Sequence, residues 1–210
     1  MTREGMPVTD MDRGDFLRLG AGGLITAAAT GIAVPAASAQ PPLAPKDDDV
    51  AFLSFATVAE RTSRDFYRAA YKQAGTGLTA AQRRHINRVA SAKRTHITRL
   101  NAALGGDAPQ SSDFVTVLPK GAVKTAARIV ALGEQLETLL VRVYLNGVGF
   151  AQDPATRLFL GRLLAYDAEM LAWLRSVGGH SSPAGLLSPV DLEPAAAALD
   201  AFLSTPDFPD

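Results

Sequence analysis

Cysteine is absent from the 210 residues, which excludes disulfides, thiolate catalysis, thiolate metal sites and a lipidated amino-terminal cysteine. Any metal would have to sit on oxygen and nitrogen ligands. Histidine is scarce at three, and neither sign of charge is in excess, with 21 Lys and Arg against 21 Asp and Glu. No overall basic field exists to draw the chain onto nucleic acid or anionic lipid, so nucleic acid is not an expected partner. Strand-like alternation of useful length is missing, and so are internal repeats of about 20 to 50 residues. What remains is an Ala- and Leu-rich chain with only 7% aromatic residues, a composition that favours a helical core.

The first 39 residues have the three parts of an export signal. Arg13-Gly14-Asp15-Phe16-Leu17-Arg18 precedes a weakly apolar run from Leu19 to Val34, and Ala37-Ser38-Ala39 supplies a small-x-small cleavage site. The run is too short and too rich in Gly, Ala and Thr to span about 30 Å of hydrocarbon, so no permanent membrane anchor is expected. The flanking residues resemble a twin-arginine signal with Gly14 in place of the second arginine. Cleavage is expected after Ala39, with the mature protein in the periplasm, cell wall or medium. Residues 40–46 contain three prolines and read as an extended linker.

Four long helices are expected between residues 47 and 178. The first runs from Asp47 to Lys72, with three aspartates at its positive end and Leu53, Ala56, Glu60, Ser63 and Tyr67 on one stripe. The second opens on the capping box Thr79-Ala80-Ala81-Gln82, places Ile86, Val89, Lys93, His96 and Leu100 inward, and stops at Gly105-Gly106. The aperiodic segment up to Gly121 is long enough to cross back along the bundle. A third helix is expected over Ala122 to Leu145, with Val130, Gly133, Glu137, Val141 and Tyr144 aligned. A fourth, capped by Asp153 and Pro154, carries Leu160, Leu164, Asp167, Met170 and Leu174 to Val177. Residues 179–210 form a loop and a short fifth helix from Pro189 to Leu203.

The core stripes of these four helices carry polar groups that demand an explanation. Glu60, His96, Glu137 and Asp167 would each be buried, and an unpaired buried charge costs several kcal/mol, roughly. A bundle that binds two irons solves this with a Glu from two helices and Glu-x-x-His from the other two. Here the corresponding pairs read Lys93-Arg94-Thr95-His96 and Asp167-Ala168-Glu169-Met170. The scaffold is present and the ligand set is interrupted.

In order and spacing, Ala59-Glu60-Arg61-Thr62-Ser63-Arg64-Asp65-Phe66-Tyr67, His96 with Leu100, Glu137 to Gly147, and Ala165 to Arg175 resemble the ferritin-like domain family of exported bacterial proteins and plant desiccation-related proteins. The resemblance covers nearly all of residues 47–178. It implies an all-α, ferritin-like four-helix bundle with a long crossover between helices 2 and 3. It also implies terminal metal ligands at Glu60 and Glu137, an imidazole at His96 and a shortened bridging carboxylate at Asp167. Lys93 and Met170 stand where a bridging Glu and a His belong.

An intact set offers a charge of about −4 to two divalent cations, whereas this one offers about −3 and adds a lysine. Lys93 is therefore expected to act as an internal counterion among Glu60, Glu137 and Asp167. Met170 reads as core filler, since a thioether suits hard iron or manganese poorly. Tyr67, Tyr144 and Tyr166 read as hydrogen-bond partners of the buried acids. His85 and His180 are expected at the surface, and the Arg83, Arg84 and Arg88 stripe as a solvated face.

The expectation is an exported bundle with an eroded di-metal site, no cofactor and no catalytic residue, working as a scaffold or binding protein through an unidentified protein partner or self-association. The alternative is a protein that oxidises or stores iron, or binds manganese, at a residual centre of Glu60, His96, Glu137 and Asp167.

Overall fold

A computed structural model describes residues 47–180 and 187–204; the expected export signal and linker lie outside these described residues. The helical reading holds. α1 (Asp47–Lys72) and α2 (Ala80–Leu104) form one hairpin, and α3 (Ala126–Phe150) and α4 (Pro154–Gly178) form the second. None of these helices is long and apolar enough to cross a membrane.

Local chemistry fixes the helix ends. Thr79 Oγ1 accepts from the Gln82 backbone N–H while the Gln82 side chain accepts from the Thr79 N–H, completing the capping box of α2. Asp153 caps α4 through the Thr156 N–H at 2.9 Å, with Pro154 at the first helical position. α4 ends at Gly179, whose φ of 71° is the left-handed conformation open to glycine at little cost.

The expected start of the third helix at Ala122 is corrected to Ala126, because Thr125 accepts from the Arg128 N–H and sets the cap there. The helix also runs past Leu145 to Phe150. Gly147 lies inside this extension because the neighbouring elements press on it: an added Cβ would stand 2.8 Å from Leu160 Cδ1 and 3.1 Å from Phe52 Cδ1. The fifth helix is shorter than expected. α5 covers Leu192–Leu199, and a 3-10 turn follows at Asp200–Phe202.

The termini of the helices show how the hairpins are arranged. Asp49, fully buried at the start of α1, accepts from the backbone N–H groups of Gln152 and Asp153 in the turn between α3 and α4. At the opposite end the Ala126 N–H donates to the Thr76 carbonyl between α1 and α2. α1 therefore runs antiparallel to α3 as well as to α2, and residues 105–125 must return along the bundle before α3 can start. This is the crossover read from the sequence.

A short element absent from the sequence reading pins it. β1 (Val115–Thr116) pairs antiparallel with β2 (Leu203–Ser204), joining the crossover to the segment after α5. α5 is held to α3 by Asn146 Nδ2 donating to Asp191 Oδ1, and by Arg142 Nε donating to the Ser188 carbonyl.

The core packs Leu53, Phe66, Ile86, Leu100, Ile129, Leu136, Leu140, Leu160, Leu163 and Leu174 between the four long helices. Into this apolar interior the same helices carry Glu60, Lys93, Glu137 and Asp167, all at 0% exposure.

Candidate metal centre and its internal lysine

One residue from each long helix meets at the middle of the bundle. Lys93 of α2 donates from Nζ to Asp167 Oδ1 of α4 at 2.5 Å, to Glu60 Oε1 of α1 at 3.3 Å and to Glu137 Oε2 of α3 at 3.4 Å. An ammonium has three N–H donors, and three carboxylates receive them.

The two glutamates have further partners. Glu60 Oε1 accepts from the Tyr144 hydroxyl at 3.1 Å, and Glu60 Oε2 faces His96 Nδ1 at 3.0 Å. Glu137 Oε1 accepts from the Tyr67 hydroxyl at 2.8 Å and from the Ser63 hydroxyl at 2.9 Å. Asp167 differs, because its Oδ2 is buried with no hydrogen-bond partner among the described residues.

The electrostatics follow from one ammonium shared among three acids in a medium of low dielectric. Burial alone would push the Glu60 carboxyl up, but Lys93 and then His96 bring it below the ordinary carboxylate value. Burial works against a charged Lys93, yet Asp167, Glu137 and Glu60 together raise its pKa. Burial raises Asp167 well above the carboxylate range; Lys93 offsets this only in part, and Glu60 and Glu137 push it further up. Burial, reinforced by the acids, likewise holds Tyr67 and Tyr144 as phenols.

A lysine kept charged by its acid partners lacks the free electron pair that a nucleophile or general base needs, and Tyr67 and Tyr144, held as phenols, donate to Glu137 and Glu60. The cluster compensates charge and orients side chains.

The residues singled out in the sequence are thus brought together, with one shift of position. His96 lies at the edge, 16% exposed at its side chain, bonded to Glu60 and packed edge-on to the Tyr166 ring at 4.9 Å. Met170, one turn from Asp167, is buried among core side chains. Ser63 is a site residue that the sequence reading placed on the stripe without a role; its position three residues after Glu60 was the available signal.

Two surface readings are revised. His85 stacks on Trp173 with ring centroids 4.3 Å apart. Arg83 donates to the carbonyls of Gln73 and Tyr71, closing the end of α1 rather than standing free in solvent.

The donor set as arranged does not fit a metal ion. The point on which Glu60, Glu137 and Asp167 converge is filled by the Lys93 ammonium, a cation already matched to all three.

Comparison with curated proteins returned no match. Comparison with protein families matches residues 48–180 to the ferritin-like domain, a span that includes all four long helices and every member of the buried cluster. Sequence pattern, bundle and family match agree, and the chain belongs to the ferritin-like family.

Proposed function

We propose that this chain is an exported ferritin-like bundle whose di-metal centre has been eroded, and that it serves as a non-catalytic scaffold or binding protein of the cell envelope. The observation that carries the reading is the contact of Lys93 Nζ with Glu60, Glu137 and Asp167. A fixed ammonium supplies the positive charge that bound cations supply in an intact centre, so the bundle retains its packed acids without them. The export part of the reading is supported by the signal-like features of residues 13–39.

The test is to purify the chain, load it anaerobically with iron or manganese, and measure tightly bound metal in the parent, Lys93→Glu and His96→Ala. Near-zero metal in the parent with binding gained by Lys93→Glu supports the lysine replacement. Stoichiometric metal in the parent that is lost with His96→Ala overturns it in favour of an iron-handling protein, and iron-dependent oxygen consumption is the assay for that. Export is tested by the mass of the protein recovered from the envelope, which should begin at Gln40.

A further inference from the structure

A second polar feature lies on the other side of α1, in a cleft of about 430 Å³ between this helix and the crossover. Its wall includes Arg61, Arg64, Ser111, Phe114, Val115 and Leu118. The two arginines, one turn apart, differ in their commitments. Arg64 donates from Nε and Nη2 to Asp65 at 2.9 and 3.1 Å, and Asp65 also accepts from the Thr116 hydroxyl. Arg61 has no hydrogen-bond acceptor among the described residues; its Nη1 is buried without a partner, and its guanidinium lies 5.6 Å from the Phe114 ring centroid.

The charge count in the cleft follows. Two guanidiniums line the cleft with one carboxylate, Asp65, which is already engaged by Arg64, while Asp113 lies outside the lining and accepts from the Gln110 N–H and the Ser112 hydroxyl. Burial, and then Arg64, depress the Arg61 pKa, with Asp113 and Asp65 offsetting this only in part. A guanidinium presents five donors in a planar fork suited to a carboxylate, and leaving it without an acceptor forfeits its strongest interaction. The rest of the wall is largely apolar.

We propose that this cleft binds a small organic monocarboxylate, whose carboxylate pairs with Arg61 beside the Ser111 hydroxyl and whose apolar body rests on Phe114, Val115 and Leu118. One guanidinium without an acceptor matches a single carboxylate, and the apolar wall gives a carbon body a place that inorganic phosphate would leave empty. The inference is independent of whether the buried cluster takes metal, because Glu60 faces the bundle core whereas Arg61 lines the cleft.

The test is calorimetric titration of the full chain with benzoate, octanoate and inorganic phosphate, repeated on Arg61→Gln and on Ser111→Trp, which fills the cleft from an exposed loop position. Saturable binding of a carboxylate is expected, weakened about tenfold or more by Arg61→Gln through loss of a charge-assisted hydrogen bond. Ser111→Trp should weaken it by a similar factor. The proposal is overturned if neither carboxylate saturates the parent, if both variants bind as the parent does, or if phosphate binds as tightly as the carboxylates. Should Arg61→Gln fail to fold by circular dichroism, Ser111→Trp decides alone.

Discussion

Lys93 Nζ and Asp167 Oδ1 stand 2.5 Å apart in a fully buried pair that joins the second helix of one hairpin to the second helix of the other. The pair is not isolated, since Glu60 and Glu137 draw on the same ammonium. Removing the lysine would leave three acids in the core with no cation. Lys93→Ala should therefore destabilise the fold by about 3–5 kcal/mol, read as a lower urea midpoint at pH 7. A change within a few tenths of a kcal/mol would show that the acids have another source of compensation.

The same contacts set a direction for alkaline stability. Lys93, Tyr67 and Tyr144 all have pKa values raised in the folded protein, above ordinary values of 10.5 and 10.0. The folded chain then holds protons that the unfolded chain releases. Stability from these groups is fully present below about pH 10 and falls as pH rises, by about 1.4 kcal/mol per pH unit for each group. Urea midpoints measured from pH 8 to 11 should drop steeply above 10, and Tyr67→Phe should make the drop shallower. A flat profile would contradict the assignment.

At the end of the bundle, Asp49 accepts from two backbone N–H groups of the α3–α4 turn, at 2.7 and 2.8 Å. Asp49→Ala removes both charge-assisted bonds and should cost about 2–4 kcal/mol. Amide exchange should speed up at Gln152 and Asp153 before it does at mid-helix positions. Asp49→Asn, which keeps an acceptor oxygen, should lose less.

Rebuilding the missing ligands offers a further check. Lys93→Glu returns the carboxylate count to about four, and adding Met170→His supplies the second imidazole. The double variant should bind manganese more tightly than Lys93→Glu alone, by equilibrium dialysis. Equal affinity would mean that position 170 lies outside the rebuilt coordination sphere.

Much of this architecture was legible because helical periodicity places inward residues at fixed intervals. Glu60, Lys93, Glu137 and Asp167 each fell on such a stripe, and all four are buried. His96 fell on the stripe too and sits only at its edge, since position along a stripe does not fix depth in the bundle. The start of the third helix is hidden in the sequence because Ala122 and Val123 form no local breaker, whereas the cap at Thr125 is a hydrogen bond between specific atoms. Asp49 read as one of three acids complementing the positive end of α1. Its acceptor role involves residues over a hundred positions away, and nothing in the local pattern signals that. Arg61 carries no local signal for a similar reason: its lack of a hydrogen-bond acceptor among the described residues is a property of the covering crossover.

The two-residue ladder between Val115–Thr116 and Leu203–Ser204 gives the molecule a schedule as well as a shape. The hairpin of α1 and α2 needs only neighbouring sequence and can form as soon as that sequence is available. The crossover cannot be fastened until the segment that follows α5 has been made. The wall of the Arg61 cleft that contains Val115 is thus completed only after α5 has emerged, and a chain truncated after α5 would keep its buried cluster while losing the clasp over that cleft.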